Sequence, residues 1–159
     1  MSYNTIKVKK YSDVIEEKVA AGEIYPGMLL ELDSSGEVQA HSDAGKNAVP
    51  IMIALEDELQ GNGIDDAYSA DEPVQVWIPG RGDEAYMILA DGENVAIGAE
   101  LESDGNGYLQ AVVAESATGA TYPNSVIGIA MEAVDLSGSS GEESSGALGY
   151  NKRVLVKIV

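Results

Sequence analysis

Hydrophobic and polar residues alternate along this chain in short runs broken by Gly, Asp, Ser and Asn, the pattern of β-strands joined by tight turns. The clearest run is Gly27–Ala40, GMLLELDSSGEVQA: an alternating stretch, a polar turn, a second alternating stretch. It returns at an offset of 71 as Gly98–Ala111, GAELESDGNGYLQA, with seven of fourteen positions identical: Gly27/Gly98, Leu30/Leu101, Glu31/Glu102, Asp33/Asp104, Gly36/Gly107, Gln39/Gln110 and Ala40/Ala111. Each copy predicts a β-hairpin whose glycines fall where a reversal needs positive φ. Two further strands repeat. Ile51–Glu56 (IMIALE) answers to Ile127–Glu132 (IGIAME), and Pro73–Ile78 (PVQVWI) answers to Arg153–Ile158 (RVLVKI). Such a unit cannot close its own hydrophobic face, so two copies sharing one core are expected, with the small Ala54 and Ala130 marking close packing between layers. The fold class is all-β, a compact pseudo-symmetric body made by duplication. The chain divides into an extended N-terminal arm at 1–20 and a duplicated body at 21–159. Within the body lie a first unit at 24–79, a connecting hairpin strand at 80–94 and a second unit at 95–159.

The remaining segments are read from the same alternation. In residues 1–11, Ile6 and Val8 point one way and Lys7 and Lys9 the other, with no partner inside the repeat unit. This is either an arm that adds to another chain's sheet edge or an edge strand whose lysines blunt aggregation. Ser12–Ala21 fits a helical turn N-capped by Ser12, or a strand ending at Ala20-Ala21-Gly22. Pro73–Ile78 and Ala85–Ala90 are expected to form a hairpin around Pro79–Asp83. Glu56–Glu72 is an acidic loop with Ile64 and Tyr68 tucked inward. Leu136–Leu148, LSGSSGEESSGAL, is low-complexity and expected as a mobile surface loop. Lys152–Val159 alternates strictly and should be tied into a sheet.

Length and charge narrow the class. At 159 residues one domain is the default. There is no Cys, so no disulfide, thiolate metal site or thiol nucleophile is available. No apolar run approaches the roughly 20 residues that span a bilayer, and the first residues lack the apolar stretch of a signal peptide. The formal net charge of −18 disfavours nucleic acid and anionic membrane surfaces as partners. The charge is uneven: Lys7, Lys9 and Lys10 occupy a first decade without acids, while 24 of 27 acids follow residue 19.

Candidate chemistry is sparse. His41, the single histidine, lies beside Ser42 and Asp43 and is expected as a solvated loop residue. Asp65 and Asp66 offer oxygen ligands for a hard cation, with an ordinary loop as the simpler reading. Glu102–Leu109 resembles the opening of an EF-hand loop, but its twelfth position is Val113 and no helices flank it, which makes it a structural turn. Arg81-Gly82-Asp83 matches the integrin-recognition triplet and is read as a turn. Trp77 is core or interface, and its indole N–H needs a partner if buried. No phosphate loop, metal cluster or nucleophile elbow occurs. Nothing singles out a glycosidase-like carboxylate pair among the 27 acids. The residues alone describe a binding or structural module without catalytic, cofactor or metal residues.

A longer pattern adds a family. The blocks YPGMLLEL (25–32), GEVQAHS (36–42), ALEDELQGNGIDDAYSADEPVQVW (54–77), AYMILADGENVAIG (85–98), LESDGNGYLQ (101–110) and VIGIAMEAVDLS (126–137) resemble, in one order, the tailed-bacteriophage head decoration or capsid cement proteins. A departure is Ala70-Asp71-Glu72, where Gly-Asp is expected. The resemblance implies a β-tulip or small β-barrel. It also implies a non-enzymatic virion protein without cofactor, on the outer surface of the expanded capsid after assembly in the host cytoplasm. Its partners would be the major capsid protein and itself, as homotrimers at three-fold and quasi-three-fold positions that bridge capsid subunits. The arm residues Ile6, Lys7, Val8, Lys9 and Lys10 are then candidate capsid contacts by β-augmentation. The rival readings are a carbohydrate- or cell-binding β module, which would cluster exposed aromatics on one face, and a carboxylate-based hydrolase.

Overall fold

The computed structural model describes residues 2–11, 13–113, 125–138 and 153–159. The strands are β1 (Lys7–Lys9), β2 (Val14–Val19), β3 (Leu29–Leu32), β4 (Val38–Ala40), β5 (Met52–Ala54), β6 (Pro73–Ile78), β7 (Glu84–Ile88), β8 (Asn94–Val95), β9 (Glu100–Ser103), β10 (Leu109–Ala111), β11 (Gly128–Ala130), β12 (Val134–Asp135) and β13 (Arg153–Ile158). The helical content among the described residues is one 3-10 turn at Glu58–Gln60. The chain is therefore all-β, as its alternation predicts.

Two large antiparallel sheets are built alike. A five-stranded sheet runs β2-β6-β5-β3-β4 and a six-stranded sheet runs β1-β7-β13-β11-β9-β10; β8 and β12 form a separate pair. The strands of the repeated motifs take equivalent places. The repeat is also longer than the motifs. β2 lies on β6 with Val14 opposite Ile78 and Val19 opposite Pro73, and β7 lies on β13 with Glu84 opposite Lys157 and Ile88 opposite Arg153. The two registers superpose at an offset of 69, although no residue of β2 matches its counterpart in β7. An isolated parallel bridge, Ala20 to Val38 in the first sheet and Leu89 to Leu109 in the second, ties the end of this added strand to the last strand of its sheet. One bridge per sheet falls short of a continuous barrel ladder.

These pairings correct several expectations. Residues 14–19 belong to the first sheet, so the first unit begins at Val14 and the free arm of 1–20 is not observed. The turn-or-strand choice at 12–21 falls to strand over 14–19; Ser12 lies outside the described residues. β6 and β7 do not form a hairpin: the chain passes at Pro79–Asp83 from one large sheet to the other. Of the low-complexity stretch, residues 139–148 lie outside the described residues.

The period of two decides the core. In the first sheet Leu29, Ile53 and Trp77 point to one face and Leu30, Met52, Ala54, Val74 and Val76 to the other. Both faces are buried. The first set joins Met87, Leu101, Leu109, Val154 and Val156 of the second sheet in one large cluster. The second set forms its own cluster under Ile24, Met28 and Tyr68. Ala54 and Ala130 are both fully buried, as close packing requires.

The hairpin turns show why the identical residues are identical. Asp33 Oδ1 accepts from the amides of Ser35 (2.8 Å) and Glu37 (3.0 Å), and Asp104 Oδ1 accepts from Asn106 (2.8 Å) and Tyr108 (3.0 Å). Behind each turn a Gln amide donates across the hairpin to a Glu, Gln39 to Glu31 at 2.9 Å and Gln110 to Glu102 at 3.1 Å.

Candidate functional site

The N-terminal strand is the sequence-based candidate, and the structure ties it down within its own chain. Ile6 is fully buried. Its amide donates to both carboxylate oxygens of Glu56 (3.2 and 3.3 Å), and its carbonyl accepts from Tyr86 N–H at 2.8 Å. Val8 is half-buried beside it. β1 thus pairs with β7 at the edge of the six-stranded sheet, with an irregularity between Lys7 and Lys9. The lysines already have acidic partners. Lys7 reaches Asp13 at 3.0 Å, Lys10 also bonds Asp13, and Lys9 stands 4.0 Å from Glu84 with its ammonium 5.3 Å from the Tyr11 ring centre. The Tyr11 hydroxyl, with Glu84 adding to it, raises the Lys9 pKa; Lys10 and Lys7 hold the Asp13 carboxyl below its ordinary value. Of the two readings of residues 1–11, the structure shows the edge strand: apolar burial of Ile6 and the β7 ladder hold it within its own chain.

The Arg-Gly-Asp turn is structural too. Asp83 is fully buried, and its carboxylate accepts from Gly80 N–H (2.7 Å) and Tyr11 N–H (2.6 Å). An adhesion triplet must present its carboxylate outward, and this one faces in.

His41 departs from expectation. It is buried at 2% exposure, because the loop after β4 folds against the second hairpin. Nε2 lies 3.2 Å from the Asn47 carbonyl, which assigns that nitrogen the proton, so Nδ1 accepts from the Ser103 hydroxyl at 2.8 Å. Gly45 N–H donates to Ser103 O at 2.8 Å and Gly107 N–H to His41 O at 3.1 Å, so the ring belongs to a seam between the repeats. A serine on an imidazole with Glu31 3.9 Å away has the composition of a catalytic triad. Ser103 is fully buried, however, and a nucleophile must reach substrate. The neighbouring cleft, about 230 Å³ and bordered by Glu31, His41, Asn47 and Pro50, meets the imidazole and not the hydroxyl.

Several acids are engaged locally. Asp65 pairs at 3.0 Å with Arg153, a buried guanidinium that also donates to the carbonyls of Pro26 (3.0 Å) and Ile64. Burial lowers the Arg153 pKa against the pull of Asp65. Among the described residues no group of three potential ligands could hold a metal ion, and the Asp104 carboxylate is spent on its own turn. Burial pushes Glu31 up, but hydrogen bonds from Ser42 and Gln39 outweigh it and bring the group down. Asp33, Asp43 and Asp135 also move down, each chiefly through a neighbouring side-chain donor: Ser35, Lys46 and Ser137. A general acid needs the opposite shift.

Two buried nitrogens stand out because neither has a hydrogen-bond partner among the described residues: Nε1 of fully buried Trp77 and Nε of Arg153. Trp77 is core. Sequence reasoning missed β2 as a surface feature. Val14, Ile15 and Val19 are 47%, 41% and 43% exposed on an edge strand, the most apolar strand surface among the described residues. Its signal was the β-branched run itself, obscured by a spacing that also fits a helical turn.

No family model matches this chain, and no curated protein matches it.

Proposed function

We propose that this chain is a structural virion protein of the head-decoration class. It binds the outer surface of the expanded phage capsid as trimers at three-fold and quasi-three-fold sites, bridges major capsid protein subunits and stabilises the head. The observation that carries the reading is the ordered series of resembling blocks between residues 25 and 137. The chemistry of the body supports it. Carboxylates serve turns and ion pairs, the one serine–histidine contact is sealed, and the net charge of −18 keeps free copies apart until a complementary surface is offered. The adhesion alternative gains nothing from the aromatic residues: Tyr11 is the one strongly exposed large aromatic among the described residues. The arm contributes in a modified form. Ile6 supports the fold from inside, and Lys7, Lys9 and Lys10 reach a capsid only by exchanging Asp13 and Glu84 for its acids.

The test is binding to expanded heads assembled without this chain. Saturable binding, density at three-fold positions and greater heat tolerance of the heads are the expected result. Heads that bind none of it, or withstand heat equally well bare, overturn the reading. A Lys9→Glu/Lys10→Glu variant with unchanged occupancy removes the arm lysines from the interface.

A further inference from the structure

We propose that the outer edge of β2, with the acidic cleft beside it, is a docking slot for an extended segment of another protein in which apolar side chains alternate with Lys or Arg. The inference stands independently of the capsid reading, because it comes from comparing equivalent edges within this molecule.

β2 and β7 hold the same place in the two sheets, and their outward backbone groups are treated differently. In β7, Tyr86 N–H donates to Ile6 O at 2.8 Å and Ile88 N–H donates to Gly27 O at 3.1 Å. At the offset of 69 the equivalent residues are Glu17 and Val19. The ladder fixes where these point. Ala20 N–H donates to Glu72 O, toward β6, and Gln75 O accepts from Leu55 N–H, away from β2. The backbone groups of Ile15, Glu17 and Val19 therefore face away from β6. Among the described residues nothing pairs with them. A six-residue edge carrying Val14, Ile15 and Val19 at 41–47% exposure is a template for strand addition.

The chain itself supplies the pattern of the occupant. The segment on the equivalent edge is Ile6–Lys9, in which apolar and basic residues alternate. The surroundings of β2 ask for the same chemistry. A cleft of about 210 Å³ lies over the sheet face of β2 and β6, bordered by Ile15, Gln75, Leu55, Asp57, Glu58 and Leu59, the last 92% exposed; Glu56, also on its border, already accepts from Ile6 N–H. The one cation on its border, Lys7, is paired with Asp13. Glu16, paired with Lys18 at 3.2 Å, and Glu17, which accepts from Gln75 at 3.1 Å, lie on opposite faces in the middle of the strand itself.

A second copy fits poorly. With Ile15, Glu17 and Val19 facing outward, the register that uses all three sets Glu17 directly opposite Glu17 of the other copy, where like charges destabilise, although Glu16 there meets Lys18 of the other copy. A second copy's β1 would first have to withdraw Ile6 from its own core. Both routes also bring together two chains of net charge −18. A basic segment of a different protein meets none of these obstacles.

The probe is a capped synthetic peptide of sequence TIKVKK, titrated into the isotopically labelled full chain and followed by amide NMR. Saturable shifts at Ile15, Glu17 and Val19 are expected. The double variant Glu16→Lys/Glu17→Lys should weaken the peptide about tenfold, and the peptide TIEVEE should not bind. Glu17→Pro removes an outward N–H that β6 does not use, so binding should be lost while the melting curve is kept. If that variant fails to fold, the charge-reversed variant carries the test. Three results overturn the proposal: shifts confined to Tyr86 and Ile88, meaning simple exchange with β1; concentration-dependent dimers that shift the β2 amides without peptide; or no saturable shift at millimolar peptide.

Discussion

The two units of this molecule agree on their inward faces and differ on their outward ones. Inside, Leu30/Leu101, Val38/Leu109, Ala54/Ala130, Val74/Val154 and Val76/Val156 are all fully buried apolar pairs. Outside, Leu29 is matched by Glu100 and Trp77 by Lys157, and each first-unit residue is buried where its counterpart meets solvent or charge. The first unit presents its second face to its twin, while the twin presents its own to water. The edges invert the relation. β7 of the second unit is covered on both sides, while the outer edge of β2 of the first has no partner strand among the described residues. Duplication of a strand pattern preserves turns and ladders, because backbone geometry fixes them. It leaves outer faces and edges free to diverge, and that is where contacts with other molecules can be built.

The largest test of this asymmetry is Trp77→Ala against Lys157→Ala. Truncating a fully buried tryptophan costs about 3–5 kcal/mol, while trimming a half-exposed lysine that reaches Glu84 at 3.3 Å costs about 1 kcal/mol or less. Equal effects in chemical denaturation would mean that the outer faces are not used differently.

A smaller difference is expected at Gly27 and Gly98, identical residues with φ of 92° and 86°. An alanine at either pays for the left-handed backbone, about 1 kcal/mol. At Gly27 the new Cβ would also lie 3.0 Å from Tyr86 O and 3.3 Å from Ile6 Cδ1, whereas at Gly98 it meets nothing within 4 Å. Gly27→Ala should therefore lower the melting temperature clearly more than Gly98→Ala. Matching losses would remove the close approach of β7 to the first unit from the account.

Tyr68 sets the third contrast. It bridges Ile24 as Val134 pairs with Val95, so a phenol stands where the second unit has an aliphatic residue. Its hydroxyl donates to Leu55 O at 2.7 Å, and burial pushes its pKa up to about 12. The neutral phenol is favoured by folding. Its contribution is complete below the unfolded value of about 10 and is lost as pH rises through the folded one. Tyr68→Phe should cost about 1 kcal/mol at neutral pH and flatten the alkaline limb of the melting profile. An alkaline limb unchanged in the variant would assign it to other groups.

The smallest effect lies in acid. Folding lowers the pKa values of Glu31 and Asp33, so their stabilisation is present above the ordinary carboxylate range, about 4, and fades as pH falls through their folded values. A Glu31→Gln/Asp33→Asn variant should show a shallower decline in melting temperature below that pH, and an unchanged slope would contradict the assignment.

Much of this was legible from the chain. The offset of 71 found both hairpins, because Asp33 and Asp104 use their carboxylates in the same way. The V-x-V-x-I strands were legible because both lie in sheet centres with one face always buried. The β2–β7 equivalence was not: one strand is exposed and the other buried, so their side chains answer to different solvents while their registers agree. The partner of β1 was hidden because strand pairing across more than 70 residues leaves no local mark. His41 was misread for a similar reason. Its burial depends on Ser103 and Gly107, which the loop sequence cannot announce. Asp71 adopts φ of 67° in the turn before β6, a left-handed backbone in which glycine would be unstrained.

Native-state amide hydrogen exchange on the free protein tests the inequality of the two edges most directly. Tyr86 and Ile88 should exchange slowly, close to the global unfolding limit, and Ile15, Glu17 and Val19 at nearly the rate of an unstructured peptide. Equal protection along β2 and β7 would contradict the account.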